Sequence, residues 1–261
     1  MSTTMRTMRT TVAVLGLCGL TPAFAANADL TAALAGVHQR IETSDFRATG
    51  RLVQVAANGE RTTYKFTMKG HWFPDGLRLL CEITEPAAAR TRLLLHMSAN
   101  GHMTVEEMKA GSKTVSELPF ERWNEPLLGT GFSFEDMVEG QFFWKVQELL
   151  PAAKYGARDC FVIKSAVAAD DRSFYSSVTS WIDRTIFYPV HVTKTVRGTG
   201  AQKDFTYFGL RQNSGVWSAS QLEVKLQGKP GSSLLIIENG TDKAKLQRKD
   251  FDLTASSKGE E

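Results

Sequence analysis

The sequence predicts a mainly β protein, an antiparallel sandwich or barrel-like sheet in one domain. Three observations lead there. Apolar residues alternate with a period of two from residue 46 almost to the end. Turn pairs such as Asn-Gly recur at short intervals, which is the spacing of a many-stranded antiparallel sheet. No linker, fixed-period repeat or low-complexity block divides the chain. Its 261 residues are 42% hydrophobic and 10% aromatic, enough to fill a sizeable core.

The first element is a processing signal. Residues 1–11 are polar, with Arg6 and Arg9 and no acid, residues 12–20 (VAVLGLCGL) are apolar, and 21–25 end in Ala23-Phe24-Ala25. That order is the layout of a secretory signal peptide. The apolar run is far shorter than the roughly 20 residues of a lasting membrane anchor. The expectation is a signal peptide over 1–25 cleaved after Ala25, a mature domain over 26–255, and a polar tail over 256–261. No later stretch is apolar enough to span a bilayer as a helix, so the mature chain is expected in the periplasm and not across a membrane.

A helix follows over 29–43, where Leu30, Leu34, Val37 and Ile41 recur at helical spacing and Asp29 stands as N-cap. Strands are expected over 47–56 and 62–69, joined by Asn58-Gly59, the strongest short hairpin signal in the chain. Further strands fall over 77–84, 92–97, 102–107 and 114–118, with Pro86 and Asn100-Gly101 as breaks. The segment 121–140 changes texture. It carries Pro126, Gly129 and Gly131, then a short acidic-apolar helix with Ser133 as N-cap. Strands resume over 142–150, 159–166, 176–183, 189–196, 204–210, 221–227 and 232–239. The total is about a dozen strands, thirteen ranges by count, and two helices.

Charge excludes one class of partner. Against 28 acidic residues there are 31 basic ones, and removing Arg6 and Arg9 with the leader leaves a net charge of +1. Electrostatic steering toward a nucleic acid needs far more. Catalytic signatures are also missing: there is no GxSxG, HExxH, P-loop or GxGxxG. His96 and His102 lie across one turn and, with Glu106 or Glu107, are the nearest approach to a metal set. Consecutive strand residues face opposite sides, so Glu106 and Glu107 cannot share a site. Glu135-Asp136 fits a helix N-terminus better than an acid–base pair. The expectation is therefore a protein that is not an enzyme and holds no cofactor and no metal. Of the three cysteines, Cys81 and Cys160 lie outside the leader. In an exported chain they either form a disulfide between two distant strands or remain two buried thiols.

Several strands are apolar on both faces. In 92–97 (RLLLHM), Leu93, Leu95 and Met97 share one face and Leu94 takes the other. Residues 234–237 and the set Phe205, Tyr207 and Phe208 behave alike. Such a sheet needs two covers. One is the helix; the other is either a second packed layer or a cavity for an apolar ligand.

Four pieces of the sequence, in order, resemble the outer-membrane lipoprotein-sorting (LolA-like) family, in its broad branch of exported proteins. LLGTGFSFEDM over 127–137 resembles a glycine-to-acidic signature, with Gly131 in place of the usual acid and Phe134 in place of tyrosine. SWIDRTIFYPVHV over 180–192 resembles a Trp-Ile-Asp hairpin. GVWSASQLEVKL over 215–226 is similar to a strand start, with Ala219 where proline is usual, and Phe251-Asp252-Leu253 falls where the family closes its last strand. The resemblance spans roughly 92–253. It implies a single curved antiparallel half-barrel of about 11–12 strands with helices covering the concave face. It also implies an apolar cavity for acyl chains of lipoproteins, lipids or other hydrophobic ligands, in a soluble periplasmic carrier. Some members accompany an inner-membrane exporter. On strand parity, the expected lining is Leu93, Leu95, Phe132, Phe134, Met137, Trp181 and Tyr207. The competing reading is a non-enzymatic periplasmic interaction module that partners an envelope exporter and has a filled core.

Overall fold

The computed structural model describes residues 22–169, 171–213 and 215–255. The leader lies largely outside them. The described chain is mainly β, with one helix, α1 (Pro22–Glu42). Thirteen strands follow: β1 (Asp45–Val55), β2 (Arg61–Phe73), β3 (Gly76–Glu85), β4 (Thr91–Ser98), β5 (Met103–Lys109), β6 (Ser116–Glu117), β7 (Val146–Tyr155), β8 (Arg158–Ala166), β9 (Tyr175–Asp183), β10 (Pro189–Val196), β11 (Gln202–Asn213), β12 (Val216–Leu226) and β13 (Ser232–Thr241). They make one curved antiparallel sheet, not closed into a barrel, in the order β6-β5-β4-β3-β2-β1-β13-β12-β11-β10-β9-β8-β7. Its thirteen strands correspond one for one to the ranges read from the sequence, against the 11–12 that the resemblance implied. A single α-helix, helped by short 3-10 turns, does the covering expected of several helices.

The topology explains the cover. The chain meanders outward from β1 to β6, then must reach the opposite edge before meandering back from β7 to β13. Segment 118–144 makes that crossing and lays its apolar side chains on the concave face. Leu118, Trp123, Phe132, Phe134 and Phe142 are buried there in one core with Ala33, Val37 and Ile41 of α1. Each side chain of this size contributes about 2 kcal/mol by leaving water. Asn58-Gly59 forms the β1–β2 turn as expected, with Gly59 at φ 85°, a conformation that favours glycine.

Two element readings need correction. The helix starts at Pro22, so Asp29 is interior rather than a cap. The alanine-rich run before Asp29 has high helix propensity and carries the helix back. The seventh strand begins at Val146, because Gly140–Phe143 forms a 3-10 turn that tucks under α1. There His38 Nε2 lies 2.8 Å from the Phe142 carbonyl and the imidazole stacks on Phe143 at 4.5 Å. On the helix's other flank Gly36 meets Phe187, where a Cβ would fall 2.3 Å from the ring.

The convex face is covered as well. Leu94, Leu80 and Phe73 point outward, opposite to their neighbours Leu93 and Leu95. Leu246, Phe251 and Leu253 of the C-terminal strap pack on them, with Phe251 edge-on to Phe73 at 5.6 Å. For these strands the second cover is thus a packed layer. Phe251-Asp252-Leu253 closes this strap rather than a strand.

Candidate apolar ligand site

Concave-face residues fall into two zones. In β3 to β5, Leu93, Leu95, Met97 and Val105 have no exposure at all. Beneath the cover, where Met103 of β5 approaches Tyr175 of β9 and Lys194 of β10, Glu135 and Trp123 help line a cavity of about 20 Å³. That is room for about one water. In the middle of the sheet the packing is looser. Register places Tyr64 of β2, Leu52 of β1, Leu235 of β13, Leu222 of β12 and Tyr207 of β11 in one cross-strand row. Leu52 is buried, but Tyr64, Leu235, Leu222 and Tyr207 stay half-buried although they border the main core. Ile237 on β13 and Leu30 and Leu34 on α1 are half-buried in the same way.

Two polar clusters flank these zones. The first lies beneath the segment 133–137. Ser133 caps the 3-10 turn Phe134–Met137, as the sequence suggested, and Asp136 reciprocates by accepting from the Ser133 backbone N–H at 2.9 Å. Asp136 also accepts from Lys194 Nζ at 2.9 Å, Lys203 Nζ at 3.0 Å and the Tyr175 hydroxyl at 2.7 Å. Burial alone would raise the Asp136 pKa, but the two ammonium groups hold it well below the usual carboxylate range. Lys194 additionally lies over the Phe205 ring at 4.9 Å. Its neighbour Glu135 is pushed upward by burial, opposed by hydrogen bonds from Ser173 Oγ and the Phe174 N–H. The acidic pair is a clamp that ties the cover to β9, β10 and β11. Strand parity could have exposed it: Lys194 shares a face with Val192 and Val196, and Lys203 with Phe205.

The second cluster lies at the Tyr207 end of the row. Arg40 of α1 pairs with Glu139 at 2.7 Å and lies over the Tyr188 ring at 4.7 Å. Tyr188 meets Tyr207 edge-on at 5.7 Å. Burial alone would lower the Arg40 pKa; Glu139 and the tyrosines outweigh it and raise it. Burial pushes the Tyr188 phenol up to about 12.

Of the residues expected to line a cavity, Leu93, Leu95, Phe132 and Phe134 are buried in the concave core, and Met137 and Tyr207 border it. Trp181 points the other way. It alternates with the buried Ile182 and sits on the convex face, 5.0 Å from His191 and 6.5 Å from Tyr155. The register of β9 puts Ser180 and Ile182 inward instead. Cys81 and Cys160 are both free and buried, so the disulfide alternative gives way to two separate thiols. Their strands, β3 and β8, lie eight positions apart in the sheet, and neighbouring strands are about 4.8 Å apart. Burial pushes the Cys81 thiol up to about 12. Among the described residues no helix is long and apolar enough to cross a membrane.

This fold is that of the LolA-like class, a curved sheet with a helix and loops on its concave side. A domain assigned to outer membrane lipoprotein-sorting proteins from Vibrio parahaemolyticus superimposes with a TM-score of 0.78 at 21% identity, covering 88% of this chain and 100% of that one. A DUF1329 family protein from Desulfovibrio piger gives 0.75 at 14% identity, over 86% of this chain and 97% of that one. A LolA superfamily protein from Nitrosomonas europaea gives 0.67 at 16% identity, over 87% and 97%. A family model described as "Uncharacterized protein" matches residues 80–255, and the chain belongs to that family. No curated protein matches the sequence.

Proposed function

We propose that this protein is a non-enzymatic periplasmic carrier. It is exported by the leader over 1–25 and holds the acyl chains of a lipoprotein, a lipid or another hydrophobic ligand on its concave face. The observation that carries this reading is the half-buried row of Tyr64, Leu235, Leu222 and Tyr207. A sheet face that stays partly wet while lined with leucine and tyrosine offers free energy to an apolar guest, about 0.8 kcal/mol per buried CH₂. The row crosses five strands, or about 19 Å at the usual strand spacing, which suits a long acyl chain. Leu93, Leu95, Phe132, Phe134 and Met137 form the filled part of the same face. A chain reaches them only if the cover moves. An inner-membrane exporter as the delivering partner belongs to this reading.

The test is capture of a fluorescent fatty-acid probe. Leu235→Glu should lower affinity at least tenfold with little loss of melting temperature, because a charge then sits in the apolar row. Leu95→Glu should instead unfold the protein, since that side chain has no exposure. Absence of probe binding by the unmodified chain, with no lipid in its native mass spectrum, would replace the carrier by the exporter-partnering interaction module.

A further inference from the structure

The convex face holds a second recess, on the other side of the sheet from the apolar row. Register lines up Arg92 of β4, Glu82 of β3, Thr67 of β2, Thr49 of β1 and Asn239 of β13 across it. With Lys249, Asp250 and Asp252 of the strap they line a trough of about 720 Å³, the size of a small-molecule site. Five strands at the usual spacing make it about 19 Å long, room for an extended chain rather than a single ring. Thr67, Thr49 and Asn239 are exposed in the floor. Thr84 and Thr241 add two more hydroxyls to the lining.

Charge and hydrogen-bonding capacity decide what the trough accepts. Its four cations, Arg47, Lys69, Arg92 and Lys249, nearly balance three anions, Glu82, Asp250 and Asp252. Arg92 Nε stands 3.5 Å from the Glu82 carboxylate, and Arg47 Nη2 3.8 Å from that of Asp250. An anionic ligand would gain from the cations and lose almost as much to the carboxylates. A peptide would find no free edge on β1 to β4, each of which already pairs on both sides. An acyl chain would find little apolar surface, since Leu80 is already buried beneath the strap. A hydroxyl group both donates and accepts, so it can meet a threonine, a carboxylate or a guanidinium without bringing a charge to desolvate. We infer that this trough is a binding site for a neutral oligosaccharide laid across the strands from Arg92 to Asn239. The paired ions grip its hydroxyls at one end and the threonines hold them in the middle. The site lies on the face opposite the acyl row and does not depend on the carrier reading.

The experiment is an amide chemical-shift titration of the purified protein with cellotetraose and chitotetraose, beside tetraglycine and tetra-aspartate as peptide and anion controls. At least one saccharide is expected to bind with a dissociation constant of about 1 mM or tighter, shifting amides of β1 to β3 and of the strap. Both controls should bind at least about tenfold more weakly. The double variant Thr49→Val, Thr67→Val keeps the strand preference and stays folded, but loses two hydroxyls and should bind about fivefold more weakly. Thr63→Val, on the same strand and face as Thr67 but outside the trough, should bind as the wild type does. The inference is overturned by no saccharide binding, by shifts confined to the concave face or by a control that binds equally well. It is also overturned by an unchanged double variant or by an equal loss in Thr63→Val. None of these outcomes touches fatty-acid capture on the opposite face. Cell-wall sacculi and vesicles carrying a diglucosyl diacylglycerol represent two sources of such a chain, a wall polymer and a lipid headgroup. Co-sedimentation with either, lost in the double variant, supports the site and shows which source is used, and co-sedimentation with neither overturns it.

Discussion

The two faces of this sheet are covered by segments of the same chain that are held in different ways. On the concave face, the crossing segment 118–144 is fixed by a buried carboxylate, Asp136, between two buried lysines and a tyrosine. On the convex face, the strap is fixed by exposed and backbone contacts. Arg248 grips Asp75 with two hydrogen bonds of 3.0 and 2.8 Å, the Asp45 carboxylate accepts from the N–H groups of Lys245 and Leu246, and Arg92 donates to the Leu253 and Ala255 carbonyls. The strap's hold is many weak bonds beside water, and the cover's strongest is a buried ionic junction away from it. A buried junction of this type fixes one geometry and tolerates no partial loss. The strap can lose any one bond and stay in place.

The largest test of that contrast is Asp136→Ala. It strands Lys194 and Lys203 in the core without a counter-charge and should cost about 3–5 kcal/mol in urea unfolding. The triple change Asp136→Leu, Lys194→Met, Lys203→Met should recover most of that loss, since replacing a whole buried ion cluster by apolar groups is often near neutral. If the single and triple variants unfold alike, the cluster is not the junction described. Next in size is Phe251→Ala, which removes the strap's aromatic from beside Phe73 and should cost about 3 kcal/mol. It should also expose Phe73 without loosening the concave core, which hydrogen exchange in β4 and β5 can follow separately.

The smallest effect is acid loosening of the strap. The hydrogen bonds from Arg248 bring the Asp75 pKa down to about 2. A folded value below the unfolded one means that the stabilisation is complete above the unfolded pKa of about 4 and is lost as pH falls through about 2. Asp75 is 40% exposed, so water screens the pair and the contribution stays below about 1 kcal/mol. Asp75→Asn should flatten the stability difference between pH 4 and pH 2, which thermal melts at those two values would detect.

Much of the fold was legible because antiparallel strands with alternating burial announce themselves. The parity that put Leu93, Leu95 and Met97 opposite Leu94 holds, and the Asn58-Gly59 hairpin is where its residues demand. What escaped has physical reasons. The strap has no period: Leu246, Phe251 and Leu253 follow the shape of a packed surface, so Phe251-Asp252-Leu253 reads as a strand end. Trp181 was placed inward, but in β9 it takes the face opposite Ile182, and no local signal separates the two. The ion cluster was missed because Asp136 sits beside Glu135 in an apparent helix start. Its partners are lysines whose inward parity becomes telling only once their strands are aligned. Arg40 carries no sequence signal beyond its place near a helix end, and only the tertiary approach of Glu139 and Tyr188 buries it.

The neighbouring positions of β1 and β13 have a consequence for how the chain assembles its concave face. Strands β1 to β6 and β7 to β13 are each a string of local hairpins that can form early, but the seam between β1 and β13 joins residues from almost opposite ends of the chain. Closing it carries the largest loop entropy in the molecule and should be the last pairing to form. The apolar row crosses that seam, with Leu52 and Tyr64 on one side and Leu235, Leu222 and Tyr207 on the other. The chain therefore cannot present this surface until its last strand has been made. Up to that moment there are two half-meanders and no assembled apolar row.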